Sequence, residues 1–179
     1  LSTNYNYTWL TLTVADAKTG AILASGASPS FDANKLNMTN YLNPLVSYSY
    51  EPGSTMKIYS FMSAIDSDLY NGDEKYMSGT IKVSDATIKD FNNVGWGSIT
   101  FDEGFSYSSN VAATILSQRL GKEKLSEYYE KFGFGKQTGI TLPEEASGTI
   151  DFNYATEIAT ASFGQGITTT PIQNIQALT

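Results

Sequence analysis

Within four residues, at Pro52-Gly53-Ser54-Thr55, the chain turns from irregular and polar to strongly apolar and helical. Pro52 and Gly53 break the backbone, and Met56-Lys57 leads into Ile58-Tyr59-Ser60-Phe61-Met62-Ser63-Ala64-Ile65. The spacing of Met56, Tyr59, Met62, Ile65 and Leu69 predicts a helix from about Ser54 to Leu69 with that face in a core. Asn71-Gly72-Asp73 ends it. Ser54 then sits at the helix mouth and Lys57 one turn in, on the same face, with Cβ atoms roughly 5–6 Å apart. Serine is inert at its free pKa and needs an adjacent base. Lysine serves as one only when neutral, and lowering its pKa of about 10.4 by about 3 units costs about 4 kcal/mol. Burial and the positive end of the helix dipole both act in that direction. Serine after Pro-Gly is also an ordinary N-cap, so this stretch alone supports both readings.

Composition decides which chemistry is left. The 179 residues include no His and no Cys. That excludes Ser-His-Asp triads, histidine-ligated metals, thiol catalysis, thiolate zinc sites and disulfides. A base for nucleophilic catalysis must be Lys, Asp, Glu or Tyr, which makes Ser54–Lys57 the leading pair. With a net charge of −7 and Arg119 as the only arginine, a nucleic-acid phosphate footprint is not expected. There is no 18-residue apolar run, so any membrane anchor is expected outside this sequence. The length suits one domain or a large part of one.

Leu10, Leu12 and Val14 alternate with Thr11 and Thr13, predicting a half-buried strand over Thr8–Ala15. A turn at Asp16–Gly20 and a returning strand at Ala21–Ser25 complete a hairpin. Residues 26–50 read as a long connection too irregular for the core. Short strands are expected at Ile81–Val83 and Thr87–Lys89, and a loop around Trp96. Thr100 and Glu103 form a capping box. Helices follow from Asn110 to Leu120, stopped by Gly121, and from Leu125 to Phe132. Residues 133–135 and 143–148 read as loops, and Thr170-Pro171 opens a last helix.

A second signal precedes the Asn110 helix. In Ser106-Tyr107-Ser108-Ser109-Asn110, a hydroxyl and an amide two residues apart can point into one cleft. Ser108 is placed to relay a proton between Lys57 and a leaving amine, and Asn110 to hold Lys57 and a substrate carbonyl. Helix capping also accounts for Ser and Asn here. Ser-x-x-Lys followed some fifty residues later by Ser-x-Asn, in a His-free chain, is close to the motif pair of penicillin-binding proteins and β-lactamases.

On these residues the chain resembles the transpeptidase domain of class B penicillin-binding proteins, of the Gram-positive cell-division type. The likeness extends through Ala15–Ala24, Pro29–Asp32, Tyr50–Lys57, Ser108–Val111, Phe132–Gly135, Ser162–Gly166 and Thr170-Pro171. It implies an α+β, β-lactamase/transpeptidase-like fold, mostly antiparallel sheet with a helical subdomain, and incomplete in residues 1–179. It also implies a serine D,D-transpeptidase with Ser54 as acylated nucleophile, Lys57 as base and Ser108 and Asn110 as the second motif. The Ser54 N–H would be one oxyanion donor. No cofactor is implied. Peptidoglycan stem peptides ending in D-Ala-D-Ala are the implied substrate, and β-lactam antibiotics mimic them. A membrane glycosyltransferase and division proteins are implied partners, at the extracytoplasmic face of the bacterial membrane.

The family's third motif, Lys-Thr/Ser-Gly on a strand after Ser-x-Asn, does not follow Gln165, so the C-terminal part of the domain is expected to lie outside this chain. Lys18-Thr19-Gly20 precedes the nucleophile in a hairpin turn, and Lys136-Gln137-Thr138-Gly139 carries an extra residue in a loop; neither fits the motif. Glu144 and Glu145 lack the context of a β-lactamase deacylating base and read as a loop brace. The alternative from another class is a non-catalytic β-lactam sensor or a pseudoenzyme scaffold for division proteins; Ser-x-Asn in place of Ser-x-Val argues against the sensor.

Overall fold

The computed structural model describes residues 6–35 and 39–179. In chain order its elements are β1 (Leu10–Ala15), β2 (Ile22–Ser28), α1 (Pro44–Ser47) and a 3-10 turn (Gly53–Met56) running into α2 (Lys57–Asp66). Then come β3 (Lys75–Met77), β4 (Thr80–Val83), β5 (Ala86–Lys89), β6 (Ser98–Thr100), α3 (Phe101–Ser106), α4 (Asn110–Lys131), α5 (Ala155–Ala161) and α6 (Pro171–Gln176). They fall into two compact units. One holds the segment through Tyr50 with Gly133–Gly148 and Thr169–Thr179; the other holds Glu51–Phe132 and Thr149–Thr168.

In the first unit, β1 and β2 form the expected antiparallel hairpin, with Leu10 opposite Ser28 and Val14 opposite Ala24. The Asp16 carboxylate builds its turn by accepting from the Lys18 and Thr19 N–H groups and the Thr19 hydroxyl. These bonds, the Thr19 hydroxyl first, hold the carboxyl below its usual range. Lys18-Thr19-Gly20 is accordingly turn structure. The apolar alternation identifies which residues share a face but not which face is covered. Leu12 and Val14 are exposed, while Thr11 and Thr13 are half-buried. Among the described residues, nothing covers the Leu12–Val14 side.

A second correction concerns the connection after β2, of which residues 36–38 lie outside the described residues. It supplies core. Asn43 Oδ1 caps α1 by accepting from the Leu45 N–H at 3.0 Å, and Pro44 occupies the first helical position. Leu45 and Val46 then bury against Ile172 of α6, with Ile22, Ile140 and Ile175 around them. Buried Gln173 ties two loops to α6, donating through Nε2 to the Lys136 and Ser147 carbonyls. Glu145 is the expected brace: its carboxylate accepts from the Thr138 and Gly139 N–H groups and from the Thr138 hydroxyl.

The second unit is organised around α2, whose buried face matches the predicted one at Met56 and Tyr59 and departs from it further along. Met62 and Ile65 are exposed, whereas Lys57, Tyr59, Ser60, Phe61, Ser63 and Ala64 are buried. Hydroxyls make a polar inner face tolerable. Ser60 Oγ bonds the Tyr129 hydroxyl of α4 at 2.8 Å and donates to the Ser162 carbonyl at 2.7 Å, and Ser63 Oγ donates to the Tyr59 carbonyl within α2. α4 breaks at Gly121, where φ of 75° departs from helical geometry, as the sequence indicates. Arg119 grips Glu74 with two parallel N–H···O bonds and lies over the Phe101 ring, fixing the approach to β3. β3 pairs with β6, and β4 with β5, both antiparallel. The Thr100–Glu103 capping box starts α3.

Two loop contacts fix the turn that presents Ser54. Gly53 N–H donates to the Gly164 carbonyl at 3.0 Å, and Gly166 N–H donates to Glu51 Oε1 at 2.8 Å. Gly164 has φ of 79°, and a Cβ there would overlap the Gly53 backbone. Backbone cannot swing aside as a side-chain tip can. Gly164→Ala is therefore expected to destabilise the fold by roughly 2–5 kcal/mol, combining left-handed strain with overlap. Gly97→Ala, at a similar φ of 77° but with open space around it, should cost about 1 kcal/mol. Urea unfolding midpoints of the two variants test the difference; equal losses would discount the Gly53–Gly164 contact.

Candidate active site

Ser54 is the second residue of the 3-10 turn and is exposed; Lys57 begins α2 and is 2% exposed. Three residues of near-helical backbone bring the two together as the spacing predicts. Lys57 Nζ donates to Ser54 Oγ at 3.0 Å, to Ser108 Oγ at 3.0 Å and to the Ser108 carbonyl at 2.5 Å. The ammonium's three protons thus have three acceptors, two of them hydroxyls that can themselves give up a proton. Burial disfavours the charged amine, and the Asp90 carboxylate partly opposes this; the outcome is a pKa pushed down to about 8. About a tenth of the amine is then neutral at about pH 7, against a vanishing fraction for a solvated lysine.

The second-motif residues arrive on the loop between α3 and α4. Ser108 adopts φ of 56°, the left-handed region that non-glycine residues enter at a cost. Surrounding bonds hold it there. Ser108 N–H donates to the Phe105 carbonyl and Ser109 N–H to the Gly104 carbonyl. Ser109 Oγ donates to Asp90 Oδ1 at 2.9 Å and caps α4 by accepting from the Ala112 N–H. The Asn110 amide nitrogen donates to the Lys89 carbonyl at 2.9 Å, a tether to β5. Of the four predicted residues, Ser54, Lys57 and Ser108 are directly hydrogen-bonded together. Asn110 is bonded to the Lys89 carbonyl of β5 and not to the amine, which Ser108 meets instead.

Sequence reasoning missed Asp90. It is 1% exposed at the end of β5, and no spacing in Lys89-Asp90-Phe91-Asn92 sets it apart from a turn residue. It also missed an aromatic surface next to Ser108, where the Tyr107 and Trp96 rings stack with centroids 5.0 Å apart and exposed Phe91 leans on Trp96. Their one signal was the run of aromatics at 91, 96, 105 and 107 ahead of the Ser-x-Asn segment.

With this geometry in place, comparison with known proteins is informative. The family model of the penicillin binding protein transpeptidase domain matches residues 10–179. Stage V sporulation protein D of Bacillus subtilis is 36% identical over 170 residues, covering 90% of this chain and 26% of that protein. Peptidoglycan D,D-transpeptidase FtsI of Escherichia coli is 30% identical over 166 residues, covering 89% and 28%. The crystal structure of penicillin binding protein 2X from Streptococcus thermophilus superposes with a TM-score of 0.85 at 36% identity, covering 93% of this chain and 26% of that one. The fold is therefore the α+β transpeptidase fold that the motifs imply. The chain spans about a quarter of the length of the curated relatives named here.

A depressed lysine pKa has a consequence for stability. The unfolded chain, with Lys57 near its ordinary 10.5, binds this proton more tightly than the folded one. Below about pH 8 the folded state carries the full penalty of a buried charge, and between about 8 and 10.5 that penalty fades as pH rises. Lys57→Met is therefore expected to unfold at higher urea than the unmodified protein at about pH 7, with the gap narrowing toward about pH 10. Paired urea titrations at the two pH values check this; a gap of constant size would return the Lys57 pKa to its ordinary value.

Proposed function

We propose that this chain, which belongs to the penicillin-binding protein transpeptidase family, works as a serine D,D-transpeptidase that cross-links peptidoglycan stem peptides through an acyl-enzyme on Ser54. The observation that carries the reading is one buried amine, Lys57, 3.0 Å from the Ser54 hydroxyl and 3.0 Å from the Ser108 hydroxyl. Neutral Lys57 takes the Ser54 proton as Oγ bonds to the carbonyl carbon of the D-Ala-D-Ala peptide, and the carbonyl electron pair moves onto oxygen. The Ser54 N–H, at the open start of the 3-10 turn, is one donor to that oxyanion. The tetrahedral species collapses with C–N cleavage. The departing D-Ala nitrogen receives the Lys57 proton by way of Ser108 Oγ, leaving an ester on Ser54.

An amine of a second stem peptide then attacks the ester, loses a proton to Lys57 along the same route, and expels Ser54, which is reprotonated. Asn110, fixed on β5 by its bond to Lys89, supplies a side-chain amide for the carbonyl of the bound peptide. A β-lactam mimics the donor peptide and stalls at the ester. The E. coli relative's name, peptidoglycan D,D-transpeptidase, supports the same reaction class. We place the activity at the extracytoplasmic face of the bacterial membrane, beside a glycosyltransferase and division proteins. Among the described residues no helix is long and apolar enough to cross a membrane.

Intact-mass analysis of the intact protein after exposure to labelled penicillin tests the reading. One adduct is expected, absent in Ser54→Ala, and its rate of formation should rise with pH through a midpoint near 8, as Lys57 loses its proton. A folded protein that takes up no label would instead be a non-catalytic scaffold for division proteins.

A further inference from the structure

Asp90 is a buried carboxylate to which the mechanism above assigns no role. Its Oδ1 accepts from Ser109 Oγ at 2.9 Å and from the Val111 N–H at 3.1 Å, and its Oδ2 accepts from the Gly79 N–H at 2.7 Å. Its own backbone exchanges a further bond with Gly79, whose carbonyl accepts from the Asp90 N–H at 2.9 Å. The carboxylate therefore binds Gly79, just before β4, and the residues on both sides of Asn110, while the Asp90 backbone is joined to Gly79 as well. The neighbouring Lys89 carbonyl adds the bond to Asn110. Between them, two consecutive residues hold Ser109, Asn110 and Val111, the three residues that follow Ser108.

This placement bears on the strain at Ser108. A serine with φ of 56° relaxes toward ordinary backbone unless its neighbours forbid it. Ser109, immediately after it, is buried and fixed by Asp90; Val111 is fixed by the same oxygen. A small error in such a framework moves a reacting hydroxyl out of line at large cost in rate. We infer that Asp90 is a positioning residue for acyl transfer, holding Ser108 in its left-handed conformation against Lys57.

The assignment rests on the proposed acyl-transfer reading and adds to it a group that never touches substrate. The charged and titratable groups around it are few. Asp90 faces the Lys57 amine and the Tyr76 phenol of β3, and Glu103 of α3 also acts on that phenol. Asp90 thus has two separable effects: its hydrogen bonds aim the loop, and its charge keeps Lys57 more basic than burial alone would leave it.

Two variants of the intact protein separate these effects, read by the rate of labelled-penicillin adduct formation against pH, with thermal unfolding run alongside. Asp90→Asn removes the charge and an acceptor for Gly79; Ser109→Ala keeps the charge and removes one tether to Asp90 together with the α4 cap at Ala112. Both are expected to slow acylation roughly 10- to 100-fold at the pH plateau. Only Asp90→Asn should also move the acid limb of the profile to lower pH, because Lys57 loses its proton more easily without the neighbouring carboxylate. An unlabelled parent protein refutes the acyl-transfer reading and this assignment with it, whereas a labelled parent with unslowed variants refutes this assignment alone. If the parent labels and Ser109→Ala keeps pace within about twofold, the positioning role is overturned, even if Asp90→Asn fails to fold. A folded Asp90→Asn whose plateau rate stays within about twofold of the parent also overturns it.

Discussion

A lysine amine taken out of water and surrounded by hydroxyl and carbonyl oxygens is the constraint on which the second unit is built. An amine with water around it stays charged at neutral pH and cannot take a proton from serine. The fold removes that water by placing Lys57 at the first position of α2, buried, with Ser54 and Ser108 as neighbours in place of solvent. Each major feature nearby serves that enclosure. The 3-10 turn before α2 presents Ser54 outward while turning Lys57 inward. The hydroxyl-lined inner face of α2 locks onto Tyr129 and Ser162, so the helix bearing the amine cannot rotate without breaking buried hydrogen bonds.

The same logic explains why loops rather than helices carry much of the precision. Gly53 and Gly164 approach backbone to backbone, and Glu51 takes the Gly166 N–H, so the turn before Ser54 is clamped on both sides of Pro52. Opposite it, Asp90 and Lys89 hold Ser109, Asn110 and Val111, directly after Ser108. The reacting groups thus sit between two braced loops with α2 as the rigid member. Preorganisation of this sort lets weak groups act together without rearrangement during the reaction.

How much of this was legible beforehand depended on the range of the interaction. Ser54–Lys57 and the Thr100–Glu103 box were readable because their partners lie three residues apart and helical geometry does the rest. The break at Gly121 was readable for the same local reason. The meeting of Ser108 with Lys57 came from recognising a motif pair, since nothing local joins positions 51 residues apart. Asp90 was invisible because its partners at 79, 109 and 111 belong to three separate pieces of chain. The three-residue strands β3 and β6 and the seven-residue α5 were too short to show a period. The buried face of α2 was misjudged for a different reason. Apolar spacing assumes that hydrophobic side chains point inward, but here the inward face is partly serine, satisfied by partners distant in sequence. The Asn43-Pro44 helix start was a missed local signal, and the β1 alternation gave the right pairs on the wrong side.

Ser108 carries two demands that pull against each other. Its backbone occupies a conformation in which glycine is at ease, while its side chain must offer an oxygen to the amine. Glycine would relieve the first and forfeit the second. Threonine keeps the oxygen, but branching at Cβ makes positive φ harder still. Asparagine and aspartate tolerate the turn but bring an amide or a charge where a neutral hydroxyl stands. No amino acid satisfies both requirements cheaply, so this position is narrow to variation from two independent directions, and the discomfort of its occupant is a standing property of the fold.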